Sequence, residues 1–430
     1  MSKVLDIFKE LTKLQRCSGN HKEFINYMQN ICEKLGYLCL IDDAKNILCK
    51  KKNSKANLVL QSHYDIVCLN QNCIPTIIED NETIKAQNST LGADNGIGCS
   101  YMIALMHENF DLEFVFTSDE EIGLIGANDF ALGLNAKYML NLDSEEEAEI
   151  CIGCAGGVDI KAIFENKKIV ENSDNLDLYE ISISNLAGGH SGVDIDKNIP
   201  NAIKLLIKAI KECKGKILDI NGGERINSIP ANAKAIIATK NPPQKTHENM
   251  KIEKIDTKSE HLSIYDDSLL DFLYNFKNGV LALNQELDVV QDSINLALIS
   301  TKLDGIVIEF SARSMVNENL INIKEKTKKD LEKISCSVET YGKYKAWSPD
   351  INIFTNKILD IYKEFNKSAS LRAIHAGLEC AVFKDKFPNL KIASIGPTIK
   401  FPHSKNEFVY KKSIENVFEV LKKIVSMDLK

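Results

Sequence analysis

No apolar stretch in these 430 residues is long enough to cross a bilayer, so no membrane-spanning helix is expected. The opening Met1-Ser2-Lys3-Val4-Leu5-Asp6-Ile7-Phe8 lacks the apolar core of an export signal and reads as an amphipathic helix, which points to a cytoplasmic protein with no membrane partner. Excess positive charge is also absent. The net charge is −7 and the basic residues are interspersed with acids, which argues against nucleic acid as a partner. There is no glycine-rich phosphate loop, no Ser-His-Asp or Cys-His arrangement, no internal repeat and no low-complexity tract. The twelve cysteines form no regular framework. Without an export signal they are expected to be reduced thiols, many of them buried as small apolar residues. Cys151-x-x-Cys154 has no second pair at metal-binding spacing, and Gly153 with Gly156-Gly157 suggests a tight turn there. What remains is an ordinary globular composition, 44% apolar and 26% charged, in a chain long enough for two domains.

Against that background one ordered series stands out: Ser62-His63-Tyr64-Asp65, Leu91-Gly92-Ala93-Asp94-Asn95-Gly96, Glu120-Glu121, Asp143 and, far downstream, His403. Apolar runs that read as strands lead into His63, the two glutamates and Asp143, and in an open α/β sheet ligands gather at the carboxyl ends of the strands. The residue types suit two divalent cations close together, most naturally zinc, which takes both imidazole and carboxylate; manganese and cobalt suit such ligands as well. Asp94 would bridge the two ions, His63 and Asp143 would complete one, and Glu121 and His403 the other. A ligating histidine usually donates its second ring N–H to a carboxylate, and Asp65 is placed to receive it from His63. Adjacent side chains at an extended strand end point apart, so Glu121 would bind metal while Glu120 faces an acidified water as general base.

These residues, with Gln61 to Val67, Leu91 to Gly98, Thr117 to Gly123, Asn141 to Glu145, Gly153 to Gly157, Gly188-Gly189-His190-Ser191-Gly192, His375 to Cys380 and Gly396-Pro397-Thr398, run along nearly the whole chain. In them the chain resembles the co-catalytic zinc aminopeptidase/carboxypeptidase superfamily. Within it, the chain is similar to the aminoacyl-histidine dipeptidase branch, also called peptidase D or Xaa-His dipeptidase and related to carnosinase. The resemblance implies metal ligation by His63, Asp94, Glu121, Asp143 and His403, and catalytic roles for Asp65 and Glu120. It implies that His190 contacts the scissile carbonyl oxygen from a lid, often that of the partner in a homodimer. The chain departs from the branch after His403-Ser404, where Lys405-Asn406-Glu407 replaces Pro-Asp-Glu and puts the shape of that loop in question.

Alternating helix and strand signals in the first portion predict an α/β fold with a central, mostly parallel sheet in a three-layer catalytic domain. From about residue 176 the pattern changes to half-exposed strands and segregated helices, an α+β block. Because His403 must return to the site begun by His63, that block is an insertion, a lid or dimerisation domain. The expected division is 1–176 and 346–430 for the catalytic domain and 177–345 for the insert. On the substrate side, Arg313 follows an apolar strand and is the candidate cation for a terminal carboxylate, which arginine binds bidentately. Asn227 is a candidate donor to the substrate backbone, and Gly377 would let main chain approach it closely. The activity expected is hydrolysis of dipeptides, Xaa-His types or a broader range. An aminoacylase, a tripeptidase or a catalytically silent binding protein on the same fold are the alternatives.

Overall fold

Leu58-Val59-Leu60-Gln61-Ser62-His63 is buried at every position, as expected of a strand with parallel neighbours on both sides. In the computed structural model, which describes residues 3–69, 74–171, 175–256 and 261–429, this strand lies near the middle of an eight-stranded sheet. The strand order is Tyr37–Ile41, Ile47–Lys51, Glu113–Thr117, Leu58–His63, Tyr138–Asn141, Lys391–Ser394, Glu149–Cys154, Ser370–Ile374. Glu113–Thr117, Leu58–His63, Tyr138–Asn141 and Lys391–Ser394 run parallel, and antiparallel pairing begins on either side of them.

Strand alternation sets the layers. Leu58, Leu60 and Leu140 turn to one face and join a core with the helices Lys3–Leu11, Lys22–Leu35, Ala93–His107, Ile353–Phe365 and Lys411–Ser426. Gln61 and Asn141 turn to the other, where Gln61 hydrogen-bonds Glu379 on the helix Glu379–Lys386.

The chain divides into two compact units, one of residues 1–154, 347–373 and 378–430, the other of 155–346 and 374–377. The first junction falls at Ala155, where the sequence pattern placed it at 176. Strand Gly156–Phe164 accounts for the difference, because it pairs on both sides with strands of the second unit, Gly305–Ser314 and Ser337–Tyr344. The tight turn expected around Gly153 and Gly156-Gly157 is likewise two consecutive strands, Glu149–Cys154 and Gly156–Phe164. Glycine serves close packing there, since a Cβ on Gly156 would stand 2.5 Å from the Ala346 nitrogen. The second unit is built on a nine-stranded sheet whose described pairings are all antiparallel, with helices Ala202–Glu212 and Asn317–Glu332 packed on it, an α+β arrangement. Among the described residues no helix is long and apolar enough to cross a membrane.

Candidate metal centre and substrate-facing residues

The three parallel neighbours Glu113–Thr117, Leu58–His63 and Tyr138–Asn141 end side by side, so the chain leaving each delivers polar side chains to one place. His63 is the last residue of its strand and is buried. Its Nε2 lies 3.1 Å from Asp94 Oδ1 and 3.2 Å from Asp143 Oδ1. His403 Nε2 lies 2.9 Å from Asp94 Oδ2 and 3.0 Å from Glu121 Oε2. Three groups of metal-competent atoms result, His63–Asp94–Asp143, Asp94–Glu121–His403 and His63–Glu120–Glu121, and Asp94 belongs to the first two, one oxygen in each.

The loop carrying Asp94 is held by its backbone. Gly92 takes a left-handed conformation (φ 70°) and the helix begins at Ala93, interrupted at Asp94 and Asn95, whose shared peptide bond is cis. Glu407 Oε2 accepts N–H bonds from Leu91 and Gly92 at 2.7 and 3.1 Å, and Oε1 accepts from Ala93 and Asp94 at 2.8 and 3.3 Å. The loop after His403, whose shape the departure from Pro-Asp-Glu put in question, is therefore tied to the Asp94 loop through Glu407. Arg16, fully buried, donates to the Tyr64 carbonyl at 2.8 Å and to the Leu11 carbonyl at 3.2 Å, fixing the residue between His63 and Asp65. Neither Glu407 nor Arg16 was singled out from sequence. An isolated charge next to a motif gives no periodic signal, though Glu407 coincides with the last residue of the expected Pro-Asp-Glu.

Two local expectations are corrected. Glu120 and Glu121 do not sit on an extended strand end with side chains pointing apart. They follow Asp119, a left-handed residue at φ 50°, in a turn that brings ligand atoms of both within 4.8 Å of His63. Asp65 does less for the His63 ring than expected and more for the glutamates. His63 Nδ1 is 3.0 Å from the Asp65 main-chain oxygen and 3.6 Å from its carboxylate. The carboxylate instead accepts the N–H groups of Glu120 at 3.0 Å and Glu121 at 3.3 Å, and the Ser18 hydroxyl at 2.7 Å. The expectation that all cysteines are reduced also fails at one pair: Cys17 and Cys68 form a disulfide, brought together by the bridge between Cys17 and Ile66. Cys151 and Cys154 are buried strand residues that, among the described residues, belong to no group of three closely spaced ligand atoms, and Cys73 lies outside the described residues.

Burial, with Glu121, Asp143 and Glu379 nearby, holds the Glu120 carboxyl well above its ordinary range. Burial opposes a charge on His63 too, but Asp143, Asp65 and Asp94 outweigh it and keep the imidazole protonated far above its usual pKa when no cation is present. Beneath the site Glu379, pushed up to about 8 mainly by burial, accepts from Gln61 and from Thr117. Asn141 donates to Gln61 at 2.6 Å, so the three strand ends are cross-linked by side chains.

The substrate-side candidates lie in the second unit. His190 Nδ1 accepts N–H bonds from Gly192 at 3.2 Å and Val193 at 3.1 Å. A nitrogen that accepts carries no proton, so the neutral ring is a donor through Nε2. Asn227 is exposed and contributes its main chain, its carbonyl accepting from Ser191 at 2.8 Å. Arg313 is buried, not a surface charge, and donates from Nη1 to the Tyr344 hydroxyl at 2.7 Å; its Nε has no partner among the described residues. Gly377 lies against the same tyrosine, where a Cβ would stand 2.8 Å from the ring. His375 joins this group: it is 2.7 Å from Ser293, and burial together with Arg313 pushes it down to about 3, so it is neutral.

Known proteins share this architecture over full length. The chain is 29% identical over 476 aligned positions, covering 98% of itself and 96% of the relative, to the cytosol non-specific dipeptidase of Escherichia coli. The crystal structure of aminoacylhistidine dipeptidase from Vibrio alginolyticus superposes with a TM-score of 0.79 at 26% identity, over 98% of this chain and 96% of that one. Aminopeptidase PepT from Bacillus cereus shares the fold, with a TM-score of 0.59 at 16% identity over 98% and 97% of the two chains. The model of Peptidase family M20/M25/M40 matches residues 59–427, a span that holds His63, Asp94, Glu121, Asp143 and His403, and the chain belongs to that family of peptidases.

Proposed function

We propose that the protein is a cytoplasmic dipeptidase that uses two divalent cations, zinc being the best match, to hydrolyse short peptides with a free carboxyl terminus, Xaa-His types or a broader range. The observation that carries the reading is Asp94, whose two carboxylate oxygens face two separate histidines, each backed by another carboxylate. This mixed set of imidazole nitrogen and carboxylate oxygen is the donor chemistry zinc takes. His63, Asp94 and Asp143 would hold one ion, and Asp94, Glu121 and His403 the other. Such ions, when bound, acidify water and polarise a carbonyl.

The remaining steps belong to the side chains. Glu120, whose carboxylate is not needed by either ligand set, takes the proton of the attacking water and passes it to the leaving amine. Burial raises the Glu120 carboxyl, and cations held by the two ligand sets would favour its ionised form. Asp65 holds the turn in place through the Glu120 and Glu121 N–H groups. His190, a donor through Nε2, supplies a hydrogen bond to the developing oxyanion. Arg313 receives the terminal carboxylate, and Asn227 and the main chain at Gly377 contact the peptide backbone. A homodimer formed through the second unit is part of this reading.

The direct test is a panel of dipeptides, including β-Ala-His and Gly-His, offered to metal-stripped protein with and without added zinc. Cleavage of unblocked dipeptides restored by zinc is the expected result. Cleavage confined to N-acetyl amino acids would replace the reading with an aminoacylase, and no hydrolysis with two ions bound would leave a binding protein. Asp65→Ala is expected to lower ion affinity or turnover about 10–100-fold, the range for residues that position ligands. Unchanged ion content together with unchanged kinetics would remove Asp65 from the machinery.

A further inference from the structure

A second cluster of ligand-type side chains lies in the first unit, built wholly of sulfur. Helix Lys22–Leu35 buries Cys32 in its last turn. Gly36, at φ 74°, caps the helix with its N–H on the Cys32 carbonyl and turns the chain directly into strand Tyr37–Ile41. That reversal brings Cys39 back beneath Cys32. The hairpin then places Cys49 directly opposite Cys39 in the antiparallel register, where facing side chains on one side of a sheet stand about 4.5–5.5 Å apart at Cβ. The three sulfurs lie within 4.8 Å of one another, and Cys32 Sγ is 3.2 Å from Cys49 Sγ. Cys32 and Cys49 are buried while Cys39 is half-buried, on the outermost strand of the sheet, which gives an ion a way in.

We propose that Cys32, Cys39 and Cys49 form a three-thiolate site for one soft or borderline d10 cation of the copper(I), zinc or cadmium class. With metal–sulfur bonds of about 2.3 Å, three sulfurs around one ion stand roughly 4 Å apart, between the 3.2 Å of Cys32 and Cys49 and the 4.8 Å within which all three lie. The cluster as described contains no carboxylate and no imidazole, so it selects differently from the nitrogen–oxygen set around Asp94: thiolates favour copper(I) and zinc, whereas magnesium, calcium and manganese prefer oxygen.

The site also has a mechanical consequence. An ion there ties the hairpin to the helix, and the turn of the same hairpin supports the segment that carries Glu120. The Asn46 side chain accepts from Ser118 N at 3.2 Å and donates to the Gly126 carbonyl at 2.8 Å. Occupancy should therefore stabilise the fold without contributing a ligand to the other centre.

The test is titration of the reduced, full-length, zinc-loaded protein with cadmium, followed by thiolate-to-metal charge-transfer absorption in the ultraviolet. Cadmium at nitrogen and oxygen ligands gives no such band, so the Asp94 centre is silent in this readout. The expected result is a band that saturates at one cadmium per chain, accompanied by a rise in Tm. The band should be lost in Cys39→Ser, a half-buried position on an outer strand that tolerates the change, and kept in Cys213→Ser and in a Cys17→Ser/Cys68→Ser double variant. No band at one equivalent, or a band of full size in Cys39→Ser, would overturn the proposal.

Discussion

Glu120→Gln should keep both metal ions and lose at least about 10²-fold in kcat, the size expected when a general base is removed. The substitution preserves the volume and leaves intact the backbone N–H that donates to Asp65 at 3.0 Å, so the turn has no reason to move. The two sets that share Asp94, His63–Asp94–Asp143 and Asp94–Glu121–His403, do not draw on it, although its carboxylate stands within 4.8 Å of His63 and Glu121. What disappears is a carboxylate that can accept a proton. Metal content by mass spectrometry and steady-state kinetics on an unblocked dipeptide separate the two effects. Two ions per chain with a collapsed kcat and a KM near that of the wild type is the expected pattern. Turnover like that of the wild type would sink Glu120 as the base, and a loss of one ion would make it a ligand instead.

How much of this was readable in advance differs from residue to residue. The convergence of His63, Asp94, Glu121, Asp143 and His403 followed from a simple regularity: His63, the glutamates and Asp143 each come just after an apolar run, and parallel strands end at one edge. The interrupted domain order followed from the position of His403. Helices with a clear apolar stripe, such as Ile353–Phe365 and Lys411–Ser426, were also legible. The hairpin Tyr37–Ile41 and Ile47–Lys51 went unread because its strands are short and Leu38 and Leu40 point outward, which blurs the alternation. The strand Gly156–Phe164 was hidden by glycines that favour a turn when only neighbours in sequence are considered. Their reason lies in chain that arrives nearly two hundred residues later, at Tyr344 and Ala346. The supporting shell was least legible. Glu407 serves four N–H groups of a loop more than three hundred residues earlier, and Asp65 spends its carboxylate on the glutamate turn; long-range hydrogen bonds of this kind have no local pattern.

The shared role of Asp94 leads to the other large effect. Removing a ligand that serves one ion should cost one ion, whereas removing a ligand that serves both should cost both. His403→Ala opens only the group with Glu121, leaving His63, Asp94 and Asp143 together at 3.1 and 3.2 Å. Asp94→Ala takes an oxygen from each group at once. It leaves His63 with Asp143 and His403 with Glu121, two ligands apiece, below the three protein ligands of catalytic zinc sites. The number of ions held at this centre should therefore fall from two to about one in His403→Ala and towards zero in Asp94→Ala. Cation stabilisation of the transition state is worth several kcal/mol, so kcat/KM in Asp94→Ala should drop by at least about 10²–10³-fold. The fold should survive, because the Asp94 loop is held through its N–H groups on Glu407 and not through the lost side chain. Circular dichroism together with metal analysis decides the matter. A folded Asp94→Ala protein that still carries two ions per chain would show that the carboxylate is not shared, and the two-ion reading would fail with it.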